Sequence, residues 1–170
     1  RATSLVREGR LPTDDVRGLL EARDGSVWIG TSAGAQRVTA GRLEPAFPGE
    51  PAPPRRVIGF LEDRAGTIWI ATHEGLFAWE AGHLVKRTTA EGLANNRVLT
   101  LHEDLEGILW IGTAGGLTRF MNGRLESLTA SDSLLDDTIL GIVDDAIGDL
   151  WLTSNRGLSR VHKADIDSFF

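Results

Sequence analysis

Apolar residues in this chain fall into short runs, each closed by glycine, asparagine or aspartate, and the runs recur at one spacing. The clearest read Val27-Trp28-Ile29, Ile68-Trp69-Ile70, Leu109-Trp110-Ile111 and Leu150-Trp151-Leu152, each 41 residues after the last. A glycine stands three residues before each tryptophan (Gly25, Gly66, Gly107, Gly148) and another six after it (Gly34, Gly75, Gly116, Gly157). A further glycine recurs as Gly41, Gly82 and Gly123, with Ala164 in the fourth place. No insertion or deletion breaks the register, and Trp79 aligns with Val38, Phe120 and Val161. A fixed period of this length is the mark of a repeat architecture.

The third repeat predicts four strands, A to D. Residues Val98–Asp104 (A), Ile108–Thr113 (B), Leu117–Met121 (C) and Arg124–Thr129 (D) are separated by glycine-bearing turns, and Asn122-Gly123 is the strongest hairpin signal in the chain. Strands A and B are apolar on both faces, so the sheet must be covered on both sides. Small residues recur two after each tryptophan (Gly30, Ala71, Gly112, Thr153) and along strand A (Gly18, Gly59, Thr100, Gly141), as inner strands crowded about an axis require. Four-stranded meanders stacked face to face around an axis form a β-propeller. The expected fold is all-β: a β-propeller fragment of four blades, residues 11–51, 52–92, 93–133 and 134–170. Thr3–Val6, within residues 1–10, matches strand D of a preceding blade and reads as an orphan outer strand. The chain is expected to stop inside its own last strand D, at Ile166–Phe170.

An open arc leaves two blade faces uncovered. If each hides about 500 Å² of apolar surface, its exposure costs about 12 kcal/mol. The expected partners are further blades of the same chain or a second copy. The chain opens at Arg1 without methionine, so it reads as a piece of something longer. A net charge of −6 argues against nucleic acid, which demands clustered lysine and arginine. Absence of cysteine excludes disulfides and thiolate chemistry, and no apolar run approaches the roughly 18 residues of a membrane span, so no membrane contact is expected.

The pattern D-x-x-G-x-L-W-I-G-T-x-x-G-L-x-R, carried by Glu21–Arg37, Glu62–Ala78, Glu103–Arg119 and Asp144–Arg160, resembles the two-component regulator propeller repeat. Gly92–Val98 is similar to the segment that leads into strand A in that family. The departures are Ala35 for leucine, Ala78 for arginine and Ser154 for threonine. The resemblance implies the extracytoplasmic sensory region of a bacterial signalling protein, periplasmic or extracellular and anchored in the inner membrane. The expected output is a histidine kinase or diguanylate cyclase. On that basis the segment is expected to bind a ligand or partner without catalysis, the alternatives being a protein–protein scaffold or a propeller lyase or hydrolase.

The recurring Trp-x-x-Thr is expected to build blades: a residue needed by every blade serves packing, and Thr31, Thr72, Thr113 and Ser154 serve the B–C turn. The acidic pairs Glu62-Asp63, Glu103-Asp104 and Asp144-Asp145 are read as turn chemistry on a solvated rim. His73, His83, His102 and His162 show no metal-ligand spacing, and no cofactor is implied. His102 replaces Leu20, Leu61 and Val143 on the inner strand; it reads as a buried, hydrogen-bonded histidine or, in a lyase, as a general base facing the channel. Binding residues are sought where blades differ, in the D–A and B–C loops. Arg55, Arg56, His73, Glu74, Asn95, Asn96, Arg97, Asp136, Asp137, Asn155 and Arg156 are the candidates for a small polar or carbohydrate ligand.

Overall fold

The computed structural model describes residues 11, 13 and 15–169; the strand expected at Thr3–Val6 lies outside them. Four antiparallel sheets follow one another along the chain. The first contains β1 (Val16–Glu21), β2 (Val27–Thr31), β3 (Gly34–Thr39) and β4 (Arg42–Pro45). The second contains β5 (Val57–Glu62), β6 (Ile68–Thr72), β7 (Gly75–Glu80) and β8 (His83–Arg87). The third contains β9 (Val98–Glu103), β10 (Leu109–Thr113), β11 (Gly116–Met121) and β12 (Arg124–Leu128). The fourth has three strands, β13 (Ile139–Asp144), β14 (Asp149–Ser154) and β15 (Gly157–His162), followed by the short helix α1 (Lys163–Asp167). Each sheet is a meander with neighbouring strands in chain order, which is the blade of a propeller.

Strand A of each blade packs beside strand A of the next, β1 on β5, β5 on β9 and β9 on β13. The crowding expected of its small residues is present: a Cβ on Gly18 would stand 2.8 Å from the Gly59 Cα. Apolar clusters fill the gaps between successive blades. Trp28 packs with Phe47, Val57 and Ile70; Trp69 with Leu93, Val98 and Ile111; Trp110 with Ile139, Leu150 and Leu152. Each of these tryptophans is therefore buried by the following blade, at 2%, 3% and 1% exposure. Trp151, with no described blade after it, is half-buried.

The C–D hairpins turn on two residues that both have positive φ: Ala40-Gly41, Ala81-Gly82 and Asn122-Gly123, at 49° and 78°, 50° and 82°, and 52° and 79°. This is the two-residue turn whose twist matches the flanking strands, and its second position is glycine in all three blades. The fourth blade has Lys163-Ala164 there. Without glycine the chain does not reverse; Lys163 to Asp167 coil into α1, and among the described residues the fourth strand D expected at Ile166–Phe170 is not formed. Ile166 is nonetheless fully buried in the core between the third and fourth blades.

Candidate functional site

B–C turns and D–A loops share one end of the blades, and local bonds set their shape. Thr72 Oγ1 donates to the Gly75 carbonyl at 2.7 Å and accepts from the Glu74 N–H at 3.0 Å. Thr31, Thr113 and Ser154 make the same pair of bonds, so these hydroxyls are the turn formers expected. The second D–A loop opens with a capping box between Thr88 and Glu91. It closes through Asn96, whose Oδ1 accepts the Thr89 N–H at 2.8 Å, and Asn95, whose Oδ1 accepts the Arg97 N–H at 2.9 Å. Asp137 and Asp136 repeat both bonds in the third loop, to Ala130 and Thr138. These four candidates thus hold loop backbone. Arg156 is bonded to the Leu135 carbonyl at 3.0 Å, while Glu74 and Asn155 are exposed on their turns. Arg55 lies apart, in a groove with Phe47, Pro53 and Pro54.

The remaining candidates converge. A cavity of about 160 Å³ opens at the inner end of this face, lined by Arg17, Ser32, Arg56, Ile58 and His73. Arg56 enters it from a left-handed backbone conformation, φ 48°, fixed by its N–H to the Ser32 carbonyl at 3.1 Å. Burial holds His73 below the usual imidazole range, and the positive charges of Arg97, Arg17 and Arg56 lower it further against the opposing Glu74. Arg17, Arg56 and His73 thus line one cavity, Arg17 paired with Asp15 at 3.0 Å, while Arg97, outside the lining, acts on His73 through its charge. Arg17 was absent from the sequence candidates, although its register signals it: its counterparts along strand A are Ile58, Leu99 and Leu140.

The opposite face, of A–B and C–D turns, is built on carboxylates. Asp63, Asp104 and Asp145 each accept the indole N–H of the tryptophan six residues on, at 2.8 Å in all three blades. Their other oxygen takes backbone N–H groups of the turn. The solvated rim expected for these residues is corrected by Asp104, which is 0% exposed: the carboxylate is drawn in because a buried indole N–H needs an acceptor. In the first blade Ala22 takes that place, and Trp28 Nε1 is buried without a partner.

The preceding acid of each pair reaches back one blade. Glu62 accepts the Arg23 N–H, Glu103 the Arg64 N–H and Asp144 the Leu105 N–H. The Arg23 and Arg64 side chains return to carbonyls of the next blade's turn, latching the inner edges together. His102 is half-buried with Nε2 2.7 Å from Asp144 Oδ1, the hydrogen-bonded state expected of it, in a contact between blades. Among the described residues no group of three or more His, Asp or Glu is arranged to hold a metal ion.

This geometry is that of a propeller repeat. The profile of the two component regulator propeller family matches residues 10–33, 51–74 and 92–115, in three of the chain's repeats. No curated protein matches the sequence. Among solved structures, the extracellular domain of BT3049 from B. thetaiotaomicron, assigned to a hybrid two component system, superposes with a TM-score of 0.78 at 22% identity over 95% of this chain. The extracellular domain of BT4673 from the same organism gives 0.74 at 24% identity over 93%. Virginiamycin B lyase from Staphylococcus aureus gives 0.68 at 15% identity over 90%. These likenesses are of fold. The chain spans 23%, 22% and 54% of those proteins' lengths, respectively. No helix among the described residues is long and apolar enough to cross a membrane.

Proposed function

We propose that this chain is a non-catalytic sensing segment from the extracytoplasmic region of a bacterial signalling protein, and that its ligand is anionic. The observation that carries the reading is the cavity lined by Arg17, Arg56 and His73 on the loop face, where the blades differ, with the charge of Arg97 bearing on His73. Guanidinium groups pair with carboxylate or phosphate through parallel N–H bonds, and a cluster of like charges is stabilised by an anion. An acidic sugar such as a uronate fits both the charge and the polar loop surroundings. The regulator family and the likeness to an extracellular domain of a hybrid two component system support the location, and they favour a histidine kinase over a cyclase as the output.

Calorimetric titration with oligogalacturonate, with a neutral galactan as control, tests the reading. Saturable binding of the acidic sugar that is lost in Arg56→Ala with Arg97→Ala supports it. Equal binding of both sugars, or of neither, sinks it.

The last blade favours association as well. Leu140, Val143 and Leu158 are 48%, 57% and 61% exposed on β13 and β15, an apolar face suited to a further blade of the same chain or to a second copy. The family match supports a non-catalytic role, and His102 is engaged with Asp144 in a contact between blades.

A further inference from the structure

The notch between adjacent blades on the carboxylate face occurs three times, and its copies differ in one informative way. Between the third and fourth blades the Lys163 ammonium fills it. Nζ lies 3.0 Å from Asp104 Oδ2, 3.5 Å from Asp144 Oδ2 and 3.9 Å from Glu106 Oε1, with the lysine side chain 13% exposed. Lys163 stands at the first position of the missing C–D turn, the place of Asn122 one blade earlier.

Between the second and third blades the same positions hold Asp63 and Glu103, with Asn122 where the lysine would be. There the notch is open, a cavity of about 380 Å³ lined by Asp63, Glu103, Glu106, Asn122, Trp69 and Phe120. Asp63 is poised as Asp104 is. One oxygen takes a turn N–H, the other takes the tryptophan N–H, and in Asp104 that second oxygen also accepts the ammonium. Leu61 stands at the place of His102, so Glu103 has no imidazole there, and among the described residues it is bound through the Arg64 N–H. Aromatic walls suit an alkyl stem and a cation alike, and Arg87, over the same two rings, lies outside the lining. Between the first and second blades the set is broken, with Ala22 for the aspartate and Ala81 at the turn.

We infer that the notch between the second and third blades binds a primary alkylammonium group, carried by a lysine of a partner segment or by a free diamine. The chain's own Lys163 displays the pose one blade along. Three N–H donors on a compact charge match two carboxylates from adjacent blades, and the aliphatic stem lies along the aromatic wall.

The test is calorimetric titration of the chain at low salt with N-acetyl-lysine N-methylamide and with cadaverine, and with the norleucine analogue as uncharged control. Saturable one-to-one binding of an ammonium and none of norleucine is expected. Glu103→Gln, which keeps an acceptor for the Arg64 N–H, is expected to weaken binding at least tenfold. Asn122→Lys supplies the ammonium from within and is expected to abolish it, with circular dichroism showing both variants folded. Preference for the lysine amide assigns the site to a protein-borne lysine, and preference for cadaverine to a free diamine; either supports the site. No saturable binding, equal binding of norleucine, or undiminished binding in folded Asn122→Lys overturns it.

Discussion

The guanidinium of Arg87 lies 5.3 Å from the ring centroid of Trp69 and 4.9 Å from that of Phe120. In the first and fourth blades an arginine of strand C covers the tryptophan instead, Arg37 over Trp28 at 5.2 Å and Arg160 over Trp151 at 5.8 Å. The second blade has Ala78 at that position, and strand D supplies the cation. Arg87→Ala is therefore expected to destabilise the chain by about 1–2 kcal/mol, as a partly desolvated cation–π contact does. The exposed Arg42→Ala serves as a near-neutral control. Adding Ala78→Arg to Arg87→Ala is expected to restore much of the loss in urea denaturation.

Trp28 presents the opposite situation, a buried N–H with nothing to replace the missing carboxylate. Ala22→Asp restores the pairing that Trp69, Trp110 and Trp151 make, and is expected to raise stability by about 1–2 kcal/mol. A rise in the urea midpoint with an unchanged slope checks it. A fall would mean that the buried position of Ala22 does not take the larger side chain.

Why these two sites escaped a reading of the sequence is a matter of distance. Strand positions, turn residues and the buried tryptophans were legible because every blade repeats them, and the period of 41 aligns them without gaps. The indole–aspartate bond was partly visible: an acid stands six residues before three of the four tryptophans, with Ala22 as the exception. Its burial depends on the next blade and left no local mark. Arg87 compensates for Ala78 from a different strand, which no within-register comparison detects. The missing fourth strand D turned on Ala164, whose significance appears only once the other turns show positive φ at that position. On the loop face, variability singled out Arg56, Arg97 and His73 together with Asn95, Asn96, Asp136 and Asp137, and the last four close their loops.

Turn chemistry yields a further expectation. Ala40 and Ala81 adopt left-handed backbone, which strains an ordinary L-residue by about 1–2 kcal/mol and strains asparagine less. Ala40→Asn and Ala81→Asn, each reproducing Asn122-Gly123, are expected to stabilise by roughly 0.5–1 kcal/mol and to add when combined. Thermal melts of the single and double variants measure both points.

Asp104 has the most to lose. Its replacement by alanine leaves the Trp110 N–H and two turn N–H groups without their acceptor and the Lys163 ammonium with only its longer contacts to Asp144 and Glu106, an expected cost of about 3–5 kcal/mol. Burial alone would raise the Asp104 carboxyl, but the Trp110, Ile108 and Lys163 bonds outweigh it and hold the group below the usual carboxylate range. Asp144 is held down in the same way, burial being outweighed by the His102 bond. A carboxylate depressed in the folded state contributes its stability above the ordinary value of about 4 and loses it as pH falls through the folded value. The melting temperature is thus expected to drop on acidification below about pH 4–5, with a shallower drop in Asp104→Asn.

His73 gives the pH dependence of ligand binding. In the free chain, burial and the neighbouring arginines keep the imidazole below its ordinary range, so the unfolded chain takes up a proton more readily than the folded one. Folded stability therefore declines as pH falls below about 6.5, the ordinary imidazole value. An anion seated among Arg17, Arg56 and Arg97 cancels part of that field and favours the charged ring, so binding draws a proton in. Affinity for oligogalacturonate is expected to rise as pH falls from about 7.5 to 5.5, with proton uptake visible as a buffer-dependent heat. His73→Gln removes the titration and is expected to flatten the profile while leaving binding at pH 7.5 nearly unchanged. A profile as steep in His73→Gln as in the parent would move the proton to another group and take His73 out of the site.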